Sequence, residues 1–138
     1  MTSIKKILID LCEMPEHLRG ISEEILLNKY KKEIIDEALK EASNIPFKTL
    51  KCCCEIMLCV KELAENGNPN SISDVGVGAE MAYAGAEGAA LNVKINLKEI
   101  NDIQYCQKMQ KHTDSLIEEI RATLEVVRET VLQKINYD

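Results

Sequence analysis

The residues that could do chemistry concentrate in one stretch, 66–97, which reads NGNPNSISDVGVGAEMAYAGAEGAALNVKINL. Its glycines first raise the question of phosphate binding. Gly76-Val77-Gly78 is a GxG, but Met81 stands where the third glycine of GxGxxG belongs. No strand pattern precedes it and no GK[ST] follows, so a dinucleotide or P-loop cradle fits poorly. Ser71-Ile72-Ser73-Asp74 instead matches the S-x-x-[DE] capping box. There Ser71 accepts from an early helix N–H while Asp74 reaches back to the cap amide. Asp74 also stands where the positive end of the helix dipole favours a carboxylate.

The helix that follows is rich in small residues. At 100° per residue, Asp74, Gly78, Ala82, Gly85, Ala89, Asn92 and Asn96 share one stripe. Its middle is nearly bare and its ends carry a carboxylate and two amides. A glycine inside a helix costs about 1 kcal/mol relative to alanine, so a compensating contact is expected. Either a neighbouring helix backbone packs closely there, or a ligand lies along the groove. If Asn92 and Asn96 face inward, their amides need partners, which water, backbone or a bound heterocycle could supply.

The cysteines are Cys12, Cys52, Cys53, Cys54, Cys59 and Cys106. On a helix, Cys52, Cys53 and Cys54 point about 100° apart and cannot all ligate one metal. No histidine pair joins them, since His17 and His112 are isolated, so no metal site is expected. Cys53 and Cys54 read as small buried hydrophobes. Three consecutive cysteines also make a poor disulfide framework, which points to the reducing cytosol.

Composition narrows the function further. The 138-residue chain carries a formal net charge of −6, and it has no Trp, one Phe and four Tyr. An acidic surface argues against nucleic acid, which needs a basic footprint, and against an anionic membrane. No apolar stretch is long enough to span a bilayer, and no signal peptide is visible. A core poor in aromatics must be built from aliphatic residues, alanine and cysteine, which suits close-packed helices.

These residues are positioned by a helical pattern throughout. Ile4, Ile7, Leu8 and Leu11 form a short stripe ending near Pro15. A second helix is expected from Ser22, as N-cap, to Ala42, with an apolar face of Leu27, Ile34, Ile35, Ala38, Leu39 and Ala42. Ser43-Asn44-Ile45-Pro46 reads as a break, after which Leu50, Cys53, Met57, Val60 and Ala64 define a third helix to about Glu65. Gly67 is a natural stop. A fourth helix starts near Ser71 or Ser73 and reaches Leu97; a fifth runs from about Asn101 to Ile135. The near-heptad seam of the fifth is Thr113, Ile117, Ile120, Leu124, Val127, Val131 and Ile135. It needs a partner helix, from this chain or from a second subunit. The expected fold is all-α: an antiparallel bundle of about five long helices with short loops.

The same stretch resembles a known family, the cyclodeaminase/cyclohydrolase domain of folate one-carbon enzymes. That family's hallmark reads much like G-N-P-N-x-I-S-D-x-G-V, a small-residue helix, then N-V-[RK]-I-N-L. Here it is Gly67-Asn68-Pro69-Asn70, Ile72-Ser73-Asp74, Gly76-Val77 and Asn92-Val93-Lys94-Ile95-Asn96-Leu97. Residues 38–47, ALKEASNIPF, look like the family's helix–Pro–helix joint. The likeness covers roughly Ile34 to Asp102 well and the final helix loosely.

The resemblance implies a dimeric, cytoplasmic folate enzyme whose substrate is a tetrahydrofolate derivative and which needs no separate cofactor. The reaction would be hydrolysis of the 5,10-methenyl bridge or expulsion of ammonia from 5-formiminotetrahydrofolate. Both attack an amidine-type carbon and need proton transfer. By this likeness Asp74 is the candidate acid/base. Asn70, Ser73, Asn92 and Asn96 would hold the pterin, and Lys94 would meet the glutamate carboxylates. Family domains carry a further N-terminal segment with a P-G-G-G-S-like loop that is not readable here. The chain is therefore expected to be one N-terminally shortened domain, 1–138. The alternative reading is a catalytically incomplete helical module that binds folate or pairs with another subunit.

Overall fold

Pro46 should end a helix, because it lacks the N–H that would meet the Ala42 carbonyl. The helix nevertheless runs through it. A computed structural model describes residues 9, 13 and 15–136, with side chains at 9, 13, 15 and from 24 onward. Within these it shows α1 (Glu16–Asn66), a 3-10 turn (Pro69–Ser71), α2 (Ile72–Leu97) and α3 (Ile103–Ile135). The all-helical class is as expected. The count of about five is not: three α-helices stand among the described residues. The expected second and third helices are one, and Ser22 lies inside it rather than at its cap. The stripe Ile4, Ile7, Leu8 and Leu11, with Cys12, lies outside the described residues, as do the side chains of His17 and Ser22.

Tertiary contacts just before Pro46 explain the continuity. Ser43 is fully buried. Its Oγ donates to the Lys40 carbonyl at 2.8 Å and shares a 2.9 Å hydrogen bond with Tyr105 Oη on α3. Lys40 pairs with Asp102 at 2.9 Å. After the proline, Leu50, Cys53, Met57, Val60 and Ala64 are buried as expected. Anchored on both sides of Pro46, the chain keeps one axis despite the lost hydrogen bond.

The chain divides into two compact units, 1–38 and 39–138. In the first, the expected apolar face is not a buried one: Ile25, Leu27, Ile34 and Ile35 are exposed on α1. Hydrophobic period alone made that face look like core, but burial also needs a partner surface.

In the second unit, α2 and α3 run antiparallel, with the C-terminal part of α1 completing the core. Met109, Thr113, Ile117, Ile120, Leu124, Val127 and Val131 of α3 are buried, so its heptad seam is filled from within the chain. Ile135, expected in the seam, is exposed. Facing them, α2 presents Ala79, Ala82, Ala86, Ala89 and Ala90 with Val93. Alanines bury little area each but let the helix axes approach. Two glycines do the same: a Cβ at Gly76 would lie 3.2 Å from Val131 Cγ1, and one at Gly85 3.4 Å from Cys53 Sγ.

Three ion pairs fix the α2–α3 register. Glu80 meets Arg128 through two contacts at 2.6 and 2.8 Å. Glu87 meets Arg121 at 3.2 Å, and Lys94 meets Asp114 at 2.9 Å. Each step of seven along α2 is matched by a step of seven back along α3, as in an antiparallel coiled coil.

The ends are held by other means. Asp102 caps α3, its Oδ1 accepting from Tyr105 N at 3.0 Å. Lys134 Nζ donates to the Ala64 and Glu65 carbonyls at 2.6 and 2.7 Å, placing a cation at the C-terminus of α1. Gly67 does end α1, for want of space rather than for a left-handed backbone. A Cβ there would collide with the Leu63 carbonyl oxygen.

Two stability predictions follow from this core. Thr113 is fully buried and its Oγ1 has no hydrogen-bond partner among the described residues. Thr113→Val should raise unfolding stability by about 1 kcal/mol, read from urea melts, because an unsatisfied hydroxyl is replaced by a methyl of the same shape. The ladder carboxyls of Glu80, Glu87 and Asp114 are all held below their ordinary range. Hydrogen bonds lead in each case, from Arg128 to Glu80, from Tyr83 to Glu87, and from Gln110 to Asp114. Their contribution is complete above the unfolded carboxylate range and is lost as pH falls through the lowered folded values. The triple variant Glu80→Gln, Glu87→Gln, Asp114→Asn should therefore lose less melting temperature than wild type between pH 7 and about pH 3. An equal loss would show that the ladder does not titrate with folding.

Candidate functional site

The expected capping box does not form. Ser71 stands at the N-cap of α2 with no side-chain cap hydrogen bond. Capping occurs one turn earlier, where Asn68 Oδ1 accepts from Asn70 N at 3.0 Å and Asn68 O accepts from Ser71 N at 3.0 Å. The Ile72 N–H then meets the Pro69 carbonyl. Pro69 suits this position because it needs no donor there. The 3-10 turn thus hands the chain into α2 and frees Ser71, Ser73 and Asp74 from capping.

Asn70, Ser73 and Asp74 are all exposed around the start of α2. Asp74 is the acidic residue of its first turn, where the exposed backbone N–H groups and the dipole favour an anion. Ser73 also borders an open groove of about 350 Å³ lined by Val77, Glu80, Val127, Arg128 and Leu132. That groove is apolar apart from the Glu80–Arg128 pair at its rim.

The other candidates lie at the far end of the same helix. Asn92 is exposed and Asn96 half-buried. The stripe running from Asp74 to Asn96 is therefore not the inward face. The buried face centres on Ala79, Ala86 and Val93, so the stripe lies at its edge, about a quarter turn round. Packing decided this: the bulky seam of α3 takes the alanines, and the longer polar side chains are left toward solvent. Lys94 is half-exposed, and its ammonium is engaged by Asp114 at 2.9 Å. It borders a second groove, of about 280 Å³, with Glu87, Leu91, Glu118 and Arg121.

Geometry splits the six candidates into two clusters. Asp74 and Asn92 are eighteen residues apart on one helix. At the helical rise, that separation is about 27 Å. Within one chain, Asn70, Ser73 and Asp74 form one group, and Asn92, Lys94 and Asn96 another. One chain does not bring both to a single reacting atom.

The ladder residues Glu80, Glu87, Asp114, Arg121 and Arg128 went unread in the sequence, although charges at steps of seven on two successive helices were a usable signal. Tyr83 joins them, its Oη donating to Glu87 at 2.6 Å and accepting from Arg121 Nε at 3.1 Å. Cys53 and Cys54 are buried, and burial pushes both thiols up, away from nucleophilic reactivity. His112 stacks on Phe47, with ring centroids 6.4 Å apart. Among the described residues, no three His, Cys, Asp or Glu side chains gather to hold a metal. No helix among them is long and apolar enough to cross a membrane.

Comparison with known proteins now gives this helix its context. The family model described as formiminotransferase-cyclodeaminase matches residues 21–115. The chain is 40% identical over 102 residues to a methenyltetrahydrofolate cyclohydrolase of Methylorubrum extorquens, covering 74% of this chain and 49% of that protein. It is 35% identical over 95 residues to a formimidoyltransferase-cyclodeaminase of Dictyostelium discoideum, covering 69% of this chain and 18% of that one. The chain therefore spans about half the length of the first relative and under a fifth of the second. A formiminotetrahydrofolate cyclodeaminase structure from Thermotoga maritima shares the fold, with a TM-score of 0.71 at 21% identity over 90% of this chain and 76% of that one. The family match takes in α2, its Asn68 cap and α3 as far as residue 115, and with these relatives it shows that the chain belongs to the formiminotransferase-cyclodeaminase family.

Proposed function

We propose that this chain works in folate one-carbon metabolism as a methenyltetrahydrofolate cyclohydrolase-type or formimidoyltetrahydrofolate cyclodeaminase-type domain. The observation that carries the reading is α2 itself: family-matched from end to end, with an exposed carboxylate in its first turn and two amides in its last turns. Its setting is the cytoplasm, its substrate a tetrahydrofolate derivative, and it acts as a homodimer or larger without a separate cofactor. The chain is one helical domain of that family.

Either reaction asks little of the protein beyond proton transfer and orientation. In hydrolysis, a water oxygen bonds to the bridging carbon and gives up a proton. One C–N bond then breaks as the hydroxyl's remaining proton passes to the departing nitrogen, leaving a formyl group on one nitrogen and a free amine at the other. In deamination, the neighbouring nitrogen bonds to the carbon of the protonated formimino group and loses its proton, and ammonia leaves after gaining one. Asp74 is the proton acceptor in either case. It is solvent-exposed in the first helical turn, within reach of a bound ligand, as a general base must be. Asn70 and Ser73 lie beside it and donate to the pterin. Asn92, Asn96 and Lys94 serve the ligand's remaining polar groups, Lys94 by exchanging Asp114 for a substrate carboxylate.

One observation favours a second reading, a folate-binding or subunit-pairing module without turnover. The two candidate clusters stand about 27 Å apart in a single chain.

Folded chain mixed with 5,10-methenyltetrahydrofolate should speed the loss of its near-ultraviolet absorbance, and Asp74→Asn should slow that by about 100-fold or more. Asn68, not Asp74, makes the cap hydrogen bonds. The variant should therefore melt within about 0.5 kcal/mol of wild type. No acceleration by folded wild type would remove the enzymatic reading, and tetrahydrofolate-induced stabilisation without turnover would support the module instead.

A further inference from the structure

The face where α1 meets α3 carries a charge pattern opposite to that of the chain. The formal net charge is −6, yet no Asp or Glu occurs from 42 to 54 on α1 or from 103 to 113 on α3. These two runs hold Lys48, Lys51, Lys108, Lys111 and His112. They meet through a pair of rings. Phe47 and His112 stack with centroids 6.4 Å apart and planes 23° from parallel. Lys51 Nζ lies 5.0 Å from the Phe47 ring centroid.

Helical period gathers the lysines round this ring pair. Lys48 and Lys51 stand within about one turn of Phe47, and Lys108 and Lys111 within about one turn of His112. All four lysines and His112 are exposed, while Phe47 is half-buried and packs against the core. None of the four lysines forms an ion pair among the described residues, whereas Lys40, Lys94, Arg121 and Arg128 all do. Neighbouring ammonium groups repel, and along the α2–α3 ladder this chain sets a carboxylate beside each cation. Here it sets none, which leaves the patch open to an anion from outside.

The bordering carboxylates are engaged or stand off the patch. Asp102 is bound to Lys40 at 2.9 Å, and Asp114 to Lys94 and Gln110. Glu41 and Glu55 lie beyond the two ends of the α1 run. The patch is also separate from α2. Asp114, which holds Lys94, is about 160° round the α3 axis from His112. On α1, Cys53, whose sulfur approaches Gly85 of α2, is about 120° round from Phe47.

Two features define what fits. Aromatic side chains stack on any heterocyclic base, since every base has a π-face. Lysine binds phosphate as a point charge, and here lysines flank the rings from two helices. A neutral ring would use only the first feature and an inorganic anion only the second. A nucleoside polyphosphate uses both. The acidic balance of the rest of the chain disfavours a long nucleic-acid strand but not a small ligand.

We propose that this α1–α3 face binds a nucleoside polyphosphate, its base on the Phe47–His112 pair and its phosphates on Lys51 and Lys108. Those two lysines are about 40° round their helices from Phe47 and His112, and Lys48 and Lys111 about 100°, at the rim. The site goes beyond the folate reading and does not depend on it.

Isothermal titration of the whole chain in low salt without magnesium tests the site. ATP should bind with a dissociation constant of about 0.1–1 mM, as an open site allows. Adenosine and inorganic tripolyphosphate should each bind at least about threefold more weakly, having only one of the two kinds of contact. Lys51→Ala and Lys108→Ala should each weaken ATP about threefold to fivefold, the loss of one exposed charge contact. His112→Ala should weaken ATP by about fivefold and leave tripolyphosphate unchanged, a split that a general loss of charge or of folding would not give. Circular dichroism confirms that each variant is helical. Absence of ATP binding at about 10 mM overturns the site. Tripolyphosphate or a tetraglutamate peptide binding as tightly as ATP, or His112→Ala weakening ATP and tripolyphosphate alike, overturns the nucleotide assignment.

Discussion

The rotation of α2 about its own axis is the constraint on which the rest of this structure depends. Three heptad-spaced ion pairs set it from one side and an alanine face sets it from the other. The two contribute differently. The ion pairs are half-exposed and screened by salt, so they define register more than they supply stability. The alanine face supplies closeness: with no side chain beyond Cβ, α2 can settle into the seam of Leu124, Val127 and Ile120. Once Ala79, Ala86 and Val93 point inward, Val77, Met81, Leu91 and Ile95 have no choice but to point outward. A helix apolar on two opposite faces has to be covered twice, and α3 covers it once.

What was legible in the residues follows from this. The seam of α3 was readable because every large aliphatic along it sits on one face, and one period accounts for them all. The core positions of α1 from Leu50 to Ala64 were readable for the same reason. On α2 the period was ambiguous. Small and apolar residues occupy most of its circumference, so the buried side could not be chosen from α2 alone. The stripe through Asp74 and Asn92 was placed about a quarter turn from where packing put the core. The cap was misplaced because Ser71-x-x-Asp74 and Asn68-Pro69 are both good starts, and only the turn geometry distinguishes them. Pro46 misled because its local cost is real, while the contacts that overcome it, Ser43 to Tyr105 and Lys40 to Asp102, join residues about sixty positions apart.

The site was partly legible and in one respect could not have been. Residue types and the family likeness named Asn70, Ser73, Asp74, Asn92, Lys94 and Asn96, and all six do stand on or beside one helix. A list of residues carries no distance, however. A continuous helix turns eighteen positions into about 27 Å, with no freedom to fold back. The straightness that makes α2 a precise scaffold also prevents its two ends from meeting in one chain.

That conflict bears on the glycines. A helix built to span a bundle has no evident reason to carry Gly78 and Gly88 at positions where nothing among the described residues approaches, since alanine there would stabilise it at no steric cost. Their presence is reasonable if α2 has two neighbours, the alanine-loving α3 on one side and a close backbone on the other.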